Sequence, residues 1–319
     1  MDKLHDIALG IIVGAAVGDA LGAPLEFLLP RNRENWVVDM IGGGVLKWKP
    51  GETTDDTAMS LAIAEMYIEK KAYHQGTVLA KWEAWGNPRP KDMGNWTHKA
   101  LSKWAQYKDR SRDLRGSENP AVILLTQNPG SAGNGAVMRC MPTAVARFND
   151  EDLLVKETTW LAEDTHPDPR CIVSCLVLNK LLRWAFDGLS KSEALDRITA
   201  EIKQLPNLEY WDVVESAKTH PWEKWDNKGY TLDTVKCALA AWAQNDSFEE
   251  GLIKVVNRGN DADTVGAVAG SLLGAYHGFE SIPQRWWDAL GETMKNRLVS
   301  NANALLEVGE TYGQQTKQS

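Results

Sequence analysis

Apolar positions in this 319-residue chain fall mostly in long runs with helical spacing, and almost nowhere in the alternation expected of a strand. Residues 57–69 (TAMSLAIAEMYIE) are apolar around most of the helical circumference, the pattern of a helix inside a core. Residues 265–276 (VGAVAGSLLGAY) behave the same way, with small residues that permit close helix packing. Further helices are expected over 136–147, 171–186, 232–243 and 296–308. Residues 36–40 and 45–48 amount at most to a short hairpin. Gly, Pro and Asn punctuate loops at 42–44, 87–91, 116–120, 128–135 and 221–229. The pattern predicts a compact all-α fold forming a single domain over residues 1–319.

The run 7–23 (IALGIIVGAAVGDALGA) resembles the apolar part of a signal peptide. Asp2 and Asp6 precede it and Asp19 interrupts it, where a signal has a basic start and an unbroken core. No other run approaches the roughly 18 apolar residues of a membrane span. The expectation is a cytoplasmic protein with a buried first helix and no membrane partner. Lys and Arg total 35 against 43 for Asp and Glu, a net charge of −8 without a basic block. Nucleic acid is therefore expected only as a modified substrate. Cys140, Cys171, Cys175 and Cys237 form no CxxC pair and read as small buried residues. The fourteen tryptophans read mainly as wedges between helices.

Two short segments carry the candidate chemistry. Thr54, Asp55 and Asp56 stand before the 57–69 helix, and Asp261, Asp263 and Thr264 stand before the 265–276 helix. Either alone reads as an ordinary N-cap, since carboxylates suit the positive end of a helix. As a pair they say more, because both helices are too apolar for a surface. Their acidic ends then reach an interior or a cleft floor, where four carboxylates repel and lose solvation. Divalent cations resolve that conflict. Oxygen donors without His or Cys select Mg²⁺ or Mn²⁺ over zinc. The residues by themselves thus predict a binuclear Mg²⁺/Mn²⁺ hydrolase.

Five blocks in order resemble the ADP-ribosylglycohydrolase family: 14–27 (GAAVGDALGAPLEF), 54–57 (TDDT), 133–139 (GNGAVMR), Thr165-His166 and 259–264 (GNDADT). The resemblance implies an all-α fold with two divalent cations at the base of a cleft that binds ADP-ribose. It implies that Thr54, Asp55 and Asp56 form one half of the metal site, and Asp261, Asp263 and Thr264 the other. Glu26 matches a glutamate beside the scissile bond and is the leading candidate for general acid/base, with Asp92 second. Ser131, Gly133, Asn134 and Gly135 look like the loop that cradles the pyrophosphate. His166 and Tyr230 are candidates for the adenine side. Residues 92–95 (DMGN), including Asn95, resemble a segment of the dinitrogenase reductase-activating glycohydrolases, which points to arginine as acceptor. The implied partners are an ADP-ribosylated protein or small molecule as substrate and ADP-ribose as product. Two other readings stand beside this one: a non-catalytic ADP-ribose-binding protein, and a Mg²⁺/Mn²⁺ phosphoester hydrolase on the same site.

Overall fold

The computed structural model describes residues 1–107, 112–226 and 228–316, so Asn227 of the 221–229 loop and the outermost part of the 1–319 domain reading lie outside the described residues. Fifteen α-helices and no strand occur among the described residues. They are α1 (Lys3–Gly22), α2 (Asp55–Lys70), α3 (Gln75–Trp85), α4 (Asn95–Trp104), α5 (Pro120–Gln127), α6 (Pro142–Ala146), α7 (Glu151–Glu163) and α8 (Pro169–Phe186). The second half adds α9 (Lys191–Ile202), α10 (Leu208–Glu215), α11 (Thr231–Ala243), α12 (Phe248–Val256), α13 (Ala262–His277), α14 (Gln284–Ala289) and α15 (Glu292–Thr316).

Two apolar helices make the central contact. α1 carries glycine at positions 10, 14, 18 and 22, and α13 carries glycine at 266, 270 and 274. Residues four apart share a helix face, so each helix offers a stripe with no side chain. The stripes meet antiparallel and in register. A Cβ built on Gly10 would lie 2.1 Å from the Gly274 carbonyl oxygen, one on Gly14 2.3 Å from that of Gly270, and one on Gly18 1.9 Å from that of Gly266. With Gly22 set against the Ala262 carbonyl, the backbones touch along about three turns. α1 is long and apolar enough to cross a bilayer, and its whole apolar window is buried in this fold.

The other helices wrap this pair. α2, α8, α11, α12 and α15 pack on α1 or α13, and one continuous cluster of buried side chains runs from Ile7 to Val308. Ala100, Ala121 and Leu124 form a small separate cluster with Trp96, joining α4 to α5.

Two expectations are corrected. Residues 136–147 are not one helix: Val137–Arg139 forms a 3-10 turn and only Pro142–Ala146 is α-helical. Pro142 has no N–H to donate back into the preceding turn, so the helix starts afresh there. The 36–48 region holds a single antiparallel bridge between Gly43 and Trp48 and no strand pair; glycines at 42, 43 and 44, all with positive φ, turn the chain too sharply for a ladder.

Replacing Gly18 with alanine forces a methyl group into the Gly266 carbonyl. The expected result is a loss of about 3 kcal/mol in urea unfolding. An unchanged unfolding midpoint would contradict the backbone contact.

Candidate active site

The antiparallel contact brings the C-terminal end of α1 to the N-terminal end of α13, and a buried acid then draws in α2. Asp19, in the last turns of α1, accepts the Thr54 N–H at 3.0 Å, the Thr57 N–H at 3.1 Å and the Thr57 hydroxyl at 2.5 Å. These would otherwise be orphan donors at a helix start. Thr54 turns its own hydroxyl inward as the cap, accepting the Asp56 N–H at 3.3 Å. Asp55 and Asp56 are held in the first turn, both buried. Sequence reasoning saw Asp19 only as a break in an apolar run. A lone acid inside the otherwise uncharged, buried stretch 7–22 of α1 was the available signal.

A second clamp fixes Glu26. Phe27 and Asn260 both adopt left-handed backbone, with φ of 64° and 55°. The Phe27 N–H donates to the Asn260 carbonyl at 2.6 Å, and the Asn260 N–H donates to the Leu28 carbonyl at 2.7 Å. The residues next to each, Glu26 and Asp261, are thereby brought together. Carboxylate oxygens of Glu26, Asp261 and Asp263 all lie within 4.8 Å of one another. The Thr264 hydroxyl donates to Asp56 Oδ1 at 3.4 Å and links the two acidic segments. The Asn134 amide donates to Asp261 Oδ2 at 2.7 Å and to the Thr234 hydroxyl at 2.9 Å.

These carboxyls are strained electrostatically. Burial, followed by the Asp261, Asp92 and Asp19 charges, pushes Glu26 up to about 8. Burial lifts Asp19 to about 6 against four hydrogen bonds that favour its charged form. Asp55, Asp56 and Asp263 are raised well above the carboxylate range by burial and then by neighbouring carboxylates, Asp92 foremost for Asp55, Asp263 for Asp56 and Glu26 for Asp263. Asp56 Oδ2, Asp263 Oδ1 and Glu26 Oε2 are buried without a hydrogen-bond partner. Two carboxylates about 5 Å apart repel by roughly 3 kcal/mol at an effective dielectric near 20. The two helix N-termini return only about 0.3 to 1 kcal/mol each. Buried oxygen atoms aimed together without donors fit a divalent cation with hard-oxygen preference.

Above this floor opens a cleft of about 700 Å³, within the range for small-molecule sites. Glu26, Asp55, Asp261, Asp263 and Thr264 line it, with Asp92, Asn95, Gly133, Asn134, Gly135 and His166. Asp92 is half-buried, and burial raises its carboxyl while the Asp55 backbone N–H counters part of the rise. Arg89 donates to the Asn95 side chain and to the Met93 carbonyl, both at 2.9 Å, and so ties the 89–95 loop. Gly135 makes room for His166, because a Cβ there would lie 2.7 Å from its ring. Burial keeps that imidazole neutral, its pKa well below the usual value.

Thr54 and Asp56 stay in the cap and first turn of α2 and do not line the cleft, and two further expected residues lie elsewhere. Ser131 donates to the Asn128 carbonyl at 3.1 Å, and Tyr230 lies under the Arg170 guanidinium at 5.6 Å; neither lines the cleft. The Asn134 N–H is also occupied, donating to the Gly229 carbonyl. Arg139 was overlooked. It is fully buried over the Trp82 ring at 4.0 Å and donates to the Thr165 hydroxyl, which contacts His166 Nδ1 at 2.8 Å. Burial lowers it to about 10, so it remains a cation behind the floor.

Comparison with known proteins gives a consistent result. The sequence model described as ADP-ribosylglycohydrolase matches residues 1–315. The chain is 30% identical over 307 residues to ADP-ribosyl-[dinitrogen reductase] glycohydrolase of Rhodospirillum rubrum, covering 95% of this chain and 97% of that one. It is 32% identical over 296 residues to ADP-ribosylarginine hydrolase Tri1 of Pseudomonas putida (strain GB-1), covering 89% and 74%. A solved structure titled "ADP-ribosylglycohydrolase-related protein complex" superposes with a TM-score of 0.82 at 32% identity, covering 97% of this chain and 100% of that one.

The electrostatics make a pH prediction. A carboxyl raised by folding binds its proton more tightly folded than unfolded, so stability falls as pH climbs between the two values. For Glu26 that window runs from 4.5 to about 8. In EDTA the thermal midpoint should fall between about pH 5 and about pH 8, and saturating Mn²⁺ should cancel the fall. Asp263→Asn should raise the midpoint in EDTA and abolish the Mn²⁺ response. A flat profile in EDTA, or no Mn²⁺ effect on the unsubstituted chain, would contradict the site.

Proposed function

The chain belongs to the ADP-ribosylglycohydrolase family, and on that footing we propose that it hydrolyses the bond between ADP-ribose and an arginine side chain of a protein. The observation that carries this reading is the meeting of Glu26 with Asp261 and Asp263 beneath a cleft of about 700 Å³. Arginine as acceptor is supported by the similarity to the Pseudomonas ADP-ribosylarginine hydrolase and by Asp92 and Asn95, which line the same cleft.

Asp55, Asp56, Asp261 and Asp263, with the Thr54 and Thr264 hydroxyls, would hold two divalent cations, Mg²⁺ or Mn²⁺. When bound, they supply neutralising charge for ribose hydroxyls and a water acidified by coordination. The chain's own residues do the rest. Water adds to the anomeric carbon, and the electrons of the carbon–nitrogen bond leave with the guanidino nitrogen. Glu26 accepts the proton of that water and returns one to the departing nitrogen. Its high proton affinity suits both halves of that exchange, and Asp92, which lines the same cleft, helps to raise it. Asn134, fixed by Thr234 and Asp261, holds the floor in register with the 133–135 loop.

The test is release of free ADP-ribose from arginine-, serine- and nucleotide-linked substrates, with Mg²⁺ or Mn²⁺ and with EDTA. The expected result is release from the arginine linkage, lost in EDTA and reduced at least ~100-fold in Asp263→Ala. Glu26→Gln should lower kcat by roughly 100-fold with little change in KM. Tight ADP-ribose binding with no release from any linkage would make this a binding protein. Release from a serine or nucleotide linkage alone would overturn the arginine assignment.

A further inference from the structure

His166 is presented to the cleft on a segment whose backbone is pinned at each residue from 163 to 166. The Glu163, Asp164 and Thr165 carbonyls accept hydrogen bonds from the Asn119 amide at 3.1 Å, the Trp104 indole at 2.6 Å and the Trp96 indole at 2.7 Å. The His166 N–H donates to the Ala162 carbonyl at 2.7 Å. The imidazole is buried at the cleft wall with Nε2 beside the 133–135 loop: a Cβ on Gly135 would lie 2.9 Å from that nitrogen, and one on Gly133 3.8 Å. Among the described residues Nε2 has no hydrogen-bond partner, whereas Nδ1 meets the Thr165 hydroxyl at 2.8 Å.

Behind that hydroxyl stands Arg139, in a costly place. It is 1% exposed and makes no ion pair among the described residues; its guanidinium donates to the Thr165 hydroxyl and, at 3.5 Å, to the Met59 sulfur. A buried cation without a carboxylate partner weighs against stability. What it does is decide where protons go. A guanidinium only donates, so the Thr165 oxygen accepts from Arg139. The hydroxyl proton then has one acceptor in reach among the described residues, His166 Nδ1. The reverse arrangement, with the proton on Nδ1, aims two donors at one oxygen and strands the hydroxyl proton in a buried place. A neutral imidazole that accepts at Nδ1 carries its proton on Nε2, the nitrogen at the cleft. Neither Gly133 nor Gly135 spends its N–H on a partner among the described residues. Donors therefore gather on this side of the cleft, which suits an anionic oxygen.

We infer that Arg139 and Thr165 are positioning residues: they hold the His166 proton on Nε2, so that the imidazole donates a hydrogen bond to a phosphate oxygen of the bound ADP-ribose. The inference rests on the hydrolase reading above for its ligand and adds a role for three residues. His166 is in this arrangement a donor and not a base, because Nδ1 is engaged and Nε2 has no lone pair to offer. The phosphates do not react when the ribose–acceptor bond is cut. The contact is then equally strong before and at the transition state, and acts on KM rather than on kcat.

The test reads the His166 ring nitrogens by NMR in the isotopically labelled chain, assigned with His166→Gln, and ADP-ribose binding by calorimetry, both in Mg²⁺. The unsubstituted chain should show a neutral ring protonated on Nε2. Thr165→Val keeps the shape without the hydroxyl. It should give a mixture of the two neutral tautomers, ADP-ribose binding about tenfold weaker, and a matching rise in KM with kcat unchanged. Thr165→Ser should restore all three. Arg139→Met should give the same mixture; if that variant does not fold, Thr165→Val decides alone. A proton on Nδ1 in the unsubstituted chain, or a Thr165→Val variant that leaves either the tautomer or the affinity intact, would overturn the inference. So would equal weakening in Thr165→Val and Thr165→Ser, which would make Thr165 a packing contact. A chain that frees ADP-ribose from no linkage fails the hydrolase reading, and the tautomer and the binding comparison still decide the role of His166.

Discussion

Backbone contact between α1 and α13 is the constraint on which the site depends. The glycine stripes fix not only how close the helices come but also their register, because each carbonyl fills the space left by the opposing glycine. Sliding one helix by a turn would break the match between the end of α1 and the start of α13. That match places Asp19 and Glu26 beside Asp261 and Asp263. A looser interface of leucines would bury more area and allow more play. Here tolerance is given up for position.

The same geometry creates an electrostatic problem that the fold does not solve with its own cations. Arg139 is buried behind the floor and faces the Trp82 ring and Thr165. Arg89, Lys91 and Lys228 lie along the cleft lining, with Lys91 set over the Trp48 ring and paired with Glu52. The carboxylates on the floor are left facing one another. A protein selected for stability alone would have replaced them with packed apolar residues. Their gathering at the ends of two buried helices fits the cation site proposed above, which ties together the Asp19 network, the Phe27–Asn260 clamp and the orphaned oxygens.

Much of this was legible in the chain. Helices 57–69 and 265–276 stood out because they are apolar all round, and their ends carried the acids that the structure gathers. α4, α7, α9 and α12 were not singled out: each has a polar face, and their apolar positions are scattered among charges. The 136–147 run misled because its composition is helical while Pro142 divides it. The place of Glu26 could come only from family resemblance, because its position depends on the hydrogen bonds that Phe27 donates to Asn260 and Leu28 accepts from it, far along the chain. Ser131 came from the resemblance of its loop and Tyr230 as an aromatic candidate; Asn128 of the same loop holds the first, and Arg170 of α8 covers the second. Asp19 and Arg139 act through contacts that no local spacing reveals.

The most direct measurement is anomalous diffraction from crystals of the chain grown or soaked in Mn²⁺. The account predicts anomalous peaks on the cleft floor, between the Asp55–Asp56 turn and Asp261, Asp263 and Thr264. Crystals saturated with Mn²⁺ that show no peak there, or peaks only at surface carboxylates, would contradict it.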